Sequence, residues 1–278
     1  MRLLRVFPRR TKATPTDPLV RVGYPDLFGP GDADECHVSC AFTWDIPEAE
    51  RLAEAWSRYL PTKLGGPAVG TRGEDFEPGR YLREGYTITS RGCPNTCWFC
   101  NVWRRDGDVR ELPIRDGYNV LDDNLLACSE QHIADVFAML KRQPRRAEFT
   151  GGLEAARLKP WHVDLLADLR PKQMFFALDT DDDRDPLVEA ARMLMDAFTA
   201  SSHVLRCYVL VGYPGDTMPA ADERLEFCVE HGYMPMAMLY RDETGGYDRE
   251  WRQFQRTWAN QVILGAKLRE YVVLRGER

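Results

Sequence analysis

Long apolar runs are missing from this chain. No stretch approaches the roughly 18 residues that suggest a membrane span, although 44% of the 278 residues are hydrophobic. A secretory leader is not expected either: Met1 to Lys12 is basic, but Arg5 and Pro8 interrupt its apolar residues. The expectation is a cytoplasmic protein with no membrane association, in a reducing compartment. An excess of positive charge is also absent. The formal net charge is −6, so the overall balance does not call for nucleic acid and leaves room only for a locally basic groove. Neither an internal repeat nor a low-complexity tract is present. What remains is a globular chain long enough for one large domain or a barrel with an appendage.

The eight cysteines are too few for a disulfide scaffold and many for a cytosolic enzyme. Three of them fall within eight residues: Cys93, Cys97 and Cys100, in Arg-Gly-Cys-Pro-Asn-Thr-Cys-Trp-Phe-Cys. Structural zinc sites usually take four ligands as paired motifs, and no second pair lies close by. Three thiolates can instead hold three irons of a 4Fe–4S cubane and leave the fourth iron open to a small molecule. Trp98 and Phe99 are placed to shield such a cluster. Cys36, Cys40 and Cys128 read as ordinary buried thiols, with a second cluster as the alternative, and Cys207 and Cys228 as core.

Residues 1 to about 33, rich in Pro, Gly and charge, read as an irregular arm with a solvated basic start. A short strand over 35–42, a helix over 47–59 and a strand over 62–69 then form a small α/β unit. From Gly85 onward, apolar strands alternate with amphipathic helices. Strands are expected at 86–90, 118–122, 146–150, 173–179, 204–212 and 234–240. Helices are expected at 130–142, 161–169, 186–198, 219–230 and 249–267. The pattern implies a parallel sheet, open or partly closed. Segment 91–117, which carries the cysteines, shows little helical pattern.

Ligands of such sheets sit at the carboxyl ends of the strands. Polar or glycine-rich residues stand at each expected end: the cysteines, Asp122-Asp123-Asn124, Gly151-Gly152-Leu153-Glu154, Asp179-Thr180-Asp181, Gly212-Tyr213-Pro214-Gly215-Asp216 and Tyr240-Arg241.

The cysteine triplet after a first strand resembles that of the radical S-adenosylmethionine (SAM) superfamily, over about residues 85 to 245. The closer look is toward tRNA methylthiotransferases and cobalamin-type members. They too follow the triplet with a basic, glycine-containing segment, here Arg104-Arg105-Asp106-Gly107, and carry a turn like Gly212-Tyr213-Pro214-Gly215-Asp216-Thr217. The Asp-x-His-x-x-Gly cobalamin pattern is absent, so that cofactor is not expected. No cysteine follows Tyr240, so auxiliary clusters are not expected either.

The resemblance implies a partial (β/α)6 TIM-like barrel over 85–245, preceded by an arm and α/β extension over 1–84 and followed by a helix and tail over 246–278. It implies one 4Fe–4S cluster on Cys93, Cys97 and Cys100, SAM on the open iron, and an external flavodoxin- or ferredoxin-like electron donor. The SAM contacts it implies are Asp122, Asp123, Asn124, Gly151, Gly152, Glu154, Asp179, Gly212, Tyr213 and Pro214. The family's Gly-Gly-Glu run, which contacts the SAM amine, is matched only loosely: Leu153 interrupts it, so either the 122–124 or the 151–154 set holds that place. Plain structural roles stand beside these: a glycine turn at 151–152, a helix cap at Asp179 and a β-turn at 212–215. The expected activity is hydrogen abstraction by a 5′-deoxyadenosyl radical, on a nucleotide or nucleic acid or on a small metabolite. The rival expectation is a non-catalytic iron–sulfur or zinc protein of the same fold.

Overall fold

The computed structural model describes residues 2–27, 29–71, 76–197, 204–242, 245–259 and 264–265. Contacts divide the chain into two compact units, Met1–Asp123 with Glu243–Gly245, and Asn124–Asp242 with Gly246–Arg278.

The first unit begins with strand β1, Leu3–Phe7, which corrects the expectation of an irregular arm. β1 lies inside a four-stranded parallel sheet, between β2 (Val20–Val22) and β3 (Glu35–Ser39), with β4 (Thr62–Gly65) beyond β3. Arginines disguised the strand. Arg5 is buried because its guanidinium donates to the carbonyls of Gly79 and Arg80, both at 3.1 Å, and to Asp17 at 2.5 Å. A buried charge is tolerated when it is paired and hydrogen-bonded in this way, although the Arg5 Nε itself finds no partner. Helix α1, Ile46–Ser57, starts with Pro47 in its first turn, where a missing N–H costs nothing. Its Ala49, Leu52 and Trp56 fall on one face and pack with Leu4, Val6 and Val38 of the sheet.

The expected strand over 86–90 is broken in two. β5, Tyr86–Thr87, pairs in parallel with β8, Asn119–Val120. β6, Ser90–Arg91, leaves to pair antiparallel with β7, Arg110–Glu111. The break falls at Thr89, whose N–H goes to the Asp122 carboxylate instead of to a neighbouring strand. Between β6 and β7 runs the cysteine loop, with one short helix, α2, at Val102–Arg105.

The second unit is a run of parallel strands joined by helices: α3 (Glu130–Lys141), β9 (Glu148–Phe149), α4 (Pro160–Leu169), β10 (Gln173–Leu178), α5 (Arg184–Ala197), β11 (Leu205–Val211), α6 (Met218–Glu230) and β12 (Met234–Leu239). β9 to β12 lie side by side in chain order, all parallel. Buried Phe149, Phe176, Val209 and Leu225 belong to its core. Helix α7, Arg249–Ala259, follows and packs on β12; the rest of the expected 249–267 helix lies outside the described residues, apart from 264–265. Buried Trp258 donates to Asp222 at 2.7 Å, in keeping with a packing role for the α7 tryptophans. The chain is therefore α/β with parallel sheets. Among the described residues there are seven α-helices, and none is long and apolar enough to cross a membrane.

Candidate metal centre

The cysteine loop is closed at its base and pinned at both ends. Gly92 enters it with φ +88°, and a Cβ there would lie 2.2 Å from the Asp108 carbonyl oxygen. Only glycine fits that conformation and that approach. Cys93 N–H donates to the Gly107 carbonyl at 3.0 Å, joining the loop's two arms. Further in, the Cys97 carbonyl accepts from Cys100 N–H at 3.1 Å and from the Trp103 indole at 3.0 Å, which winds 97–103 into a turn. The Cys93, Cys97 and Cys100 thiols are half-buried and in no disulfide. Trp98 is 51% exposed and meets Phe99 edge-on at 5.4 Å.

Two aspartates behind the loop do the anchoring. Asp122 is 1% exposed; its carboxylate accepts from Thr89 N–H and Thr89 Oγ1, each at 2.6 Å, and from Ser90 Oγ at 2.8 Å. Burial still pushes its carboxyl pKa up, against those hydrogen bonds. Asp123 ties the loop's entry to its exit: it accepts from Gly92 N–H at 3.0 Å and faces Arg91 at 3.4 Å and Arg105 at 3.5 Å. Arg105 also pairs with Asp106 at 2.5 Å. Of the expected SAM contacts, Asp122 and Asp123 are thus engaged in holding the cysteine loop. Thr89, Ser90, Arg91 and Arg105 as their partners were not legible in advance; Arg-Gly before the first cysteine was the only available signal.

The donor set suits a thiophilic cluster. Three partly exposed thiols sit on one loop, and two arginines stand behind it. Burial pushes the Cys100 thiol up, and the Cys93 sulfur's negative charge adds to that rise. A cationic metal centre reverses both effects. Among the described residues no three Cys, His, Asp or Glu side chains already converge as a metal site. A metal held on this loop would have to draw its ligands together as it bound, coupling binding to local folding.

The remaining expected contacts lie in the second unit. There the two sets that compete for one role meet: Asn124 donates to Glu154 at 2.6 Å, and Arg157 grips the same carboxylate at 2.6 Å. Gly152, at φ +101°, makes the turn, and Gly151 is exposed. Asp179 accepts from Leu210 N–H at 3.1 Å; burial, helped by Asp183, pushes its pKa up to about 7. The capping falls to Asp183, which accepts from Asp179 N–H and Thr180 N–H. Gly212 N–H donates to Asp216 at 2.8 Å, Asp216 pairs with Arg224, and the Arg224 guanidinium lies 5.3 Å from the Tyr213 ring. Pro214 follows in that turn, and the Gly212 Cα faces the Trp251 ring, leaving no room for a Cβ.

Cys36 and Cys40 are buried in the first unit, where burial pushes their thiols up to about 11. Cys128, expected to be buried, is only half-buried where it precedes α3, whereas Cys207 and Cys228 are buried, as expected of core thiols. Compared with known proteins, the chain matches no family model and no curated sequence.

Proposed function

We propose that this chain is a radical SAM enzyme, working in the reducing cytoplasm with one 4Fe–4S cluster on Cys93, Cys97 and Cys100. The observation that carries the reading is the C-x3-C-x2-C triplet itself, on a glycine-entered loop that Asp122 and Asp123 pin from behind. The proposed architecture is a partial (β/α)6 barrel, for which the parallel strands and their intervening helices are the support.

When bound, the cluster and SAM supply an electron and a sulfonium whose cleavage yields a 5′-deoxyadenosyl radical that takes hydrogen from the substrate, the electron arriving from a flavodoxin- or ferredoxin-like donor. The chain's own work is positional. Asp122, through Thr89 and Ser90, fixes where β6 delivers the loop. Asp123 fixes Gly92 and, through Arg105, the start of the return arm. Asn124, Gly151, Gly152, Glu154, Asp179, Gly212, Tyr213 and Pro214 remain the proposed SAM contacts of the second unit. Asp179, poised near neutral pH, holds or releases a proton at its carboxyl where a ribose hydroxyl seeks a partner.

Anaerobic reconstitution tests the reading. Loaded protein should bind about 4 Fe per chain and form 5′-deoxyadenosine from SAM under dithionite. Cys97→Ala should lose both. Cleavage that survives in Cys97→Ala sinks the proposal; metal binding without SAM cleavage in the unsubstituted chain favours the non-catalytic rival.

A further inference from the structure

The first unit holds a cleft of about 580 Å3 that the cysteine chemistry does not account for. It opens where β1, β3 and β4 end: Phe7-Pro8-Arg9, Ser39, Ala41, Phe42 and Gly65-Gly66-Pro67 belong to its wall. Carboxyl ends of parallel strands are where α/β sheets place their ligands. The volume falls within the roughly 300–1,000 Å3 of small-molecule sites. Gly66 keeps the floor thin. At φ +112°, its Cβ would fall 2.4 Å from the Cys40 carbonyl oxygen.

We propose that this cleft binds a phosphorylated small molecule with a planar ring, of about mononucleotide size. Charge is the first argument. Five cations line the wall, Arg9, Lys63, Arg80, Arg91 and Arg105, against two carboxylates, Asp45 and Glu77. The chain as a whole is acidic, at −6, so cations are concentrated on this lining. All five are paired: Arg9 with Asp45 and Arg80 with Glu77 on the wall itself, and Lys63 with Glu35, Arg91 with Asp123 and Arg105 with Asp106 off it. A carboxylate behind a cation orients it without occupying the cleft. A phosphate, with nearly two charges and three acceptor oxygens, can take donors from several of these oriented cations at once, which a single ligand carboxylate cannot.

The rest of the wall suits a ring. Phe42 is backed by Trp44 in a stack at 4.8 Å, and Tyr81 is fixed by its hydroxyl contact with His37 at 2.5 Å. Rigid aromatics offer stacking area at little entropic cost. Arg91 and Arg105 belong both to this wall and to the anchorage of the cysteine loop. The bound ligand is thus a substrate candidate for the proposed reaction; that last step rests on the radical reading, and the binding site does not.

The test is a calorimetric titration of the full-length chain with each of the four ribonucleoside monophosphates, their parent nucleosides and inorganic phosphate. At least one monophosphate should bind saturably, and its nucleoside at least tenfold more weakly. Lys63→Gln and Arg80→Gln, both at exposed side chains, should each weaken binding about tenfold, the order of one lost charge-assisted contact, with unchanged circular dichroism. No saturable binding up to millimolar ligand, equal binding by both variants, or binding of a single-stranded oligonucleotide alone would overturn the proposal. Monophosphate binding without any 5′-deoxyadenosine formation overturns the radical reading and leaves the site standing; cleavage without binding does the reverse.

Discussion

Two regions of the first unit are built on opposite principles. The β1–β4 sheet is held by apolar burial: Leu4, Val6, Val38, Leu52 and Trp56 lose all their exposure in it. The cysteine loop is flanked by strands of two residues and held by two carboxylates, Asp122 and Asp123. The thiols show what the difference accomplishes. Cys36 and Cys40, caught in the sheet's core, are pushed up to about 11 and are poor metal ligands at neutral pH. Cys93, Cys97 and Cys100 stay half-buried on the loop, although burial pushes the Cys100 thiol up as well. A thiolate site has to be anchored from outside the core, and polar anchors behind a loop do this.

The strongest way to break the comparison is to empty the sheet's core. Trp56→Ala removes a fully buried ring and the indole's bond to the Gly23 carbonyl, 3.1 Å away. It should cost about 3–5 kcal/mol, read as a lower denaturant midpoint. Alkylation of Cys36 and Cys40, slow in the parent chain, should accelerate in step. A cost under about 1 kcal/mol would mean that apolar burial does not hold this sheet.

The same contrast decides how much was legible in the sequence. The second unit's strands and helices were, because their apolar periodicity is local and clean: the expected strand over 173–179 is Gln173–Leu178, and the expected helix over 219–230 is Met218–Glu230. The cysteine triplet was legible because ligand spacing is itself local. β1 was not. Leu-Leu-Arg-Val-Phe hides a buried arginine whose partners, Asp17, Gly79 and Arg80, lie up to 75 residues away. With β1 read as an irregular arm, the cleft at its carboxyl end was invisible as well. The anchoring of the loop was equally hidden, since Asp122 meets Thr89 only across 33 residues.

A smaller cut should separate the two regions without unfolding either. Asp122→Ala strands the Thr89 N–H and the Thr89 and Ser90 hydroxyls in a buried place. One such loss costs roughly 1–3 kcal/mol, and the damage should stay in the loop. Alkylation of Cys93, Cys97 and Cys100 should rise several-fold while Cys36 and Cys40 remain protected, as peptide mapping by mass spectrometry can show. If all five cysteines open together, loop and sheet are one cooperative body and the contrast between them is false.

The smallest effect is expected at Asp123, and its sign is the informative part. Burial pushes this carboxyl up from the ordinary 3.8, outweighing the pull of Arg91 and the Gly92 N–H. A raised folded-state value means that the group's contribution to stability is fully present below pH 3.8 and is lost as pH rises through the raised value. Asparagine mimics the protonated form and can still accept from Gly92 N–H. Asp123→Asn should therefore match the parent chain at acid pH and exceed its stability above neutrality, by on the order of 1 kcal/mol or less. Melting curves below pH 3.8 and at pH 8 decide it. A variant weaker than the parent by a wider margin at pH 8 than below pH 3.8 would mean that the long contacts to Arg91 and Arg105 outweigh burial. The loop would then be held by charge pairing more than by the hydrogen bond from Gly92 N–H to the Asp123 carboxyl.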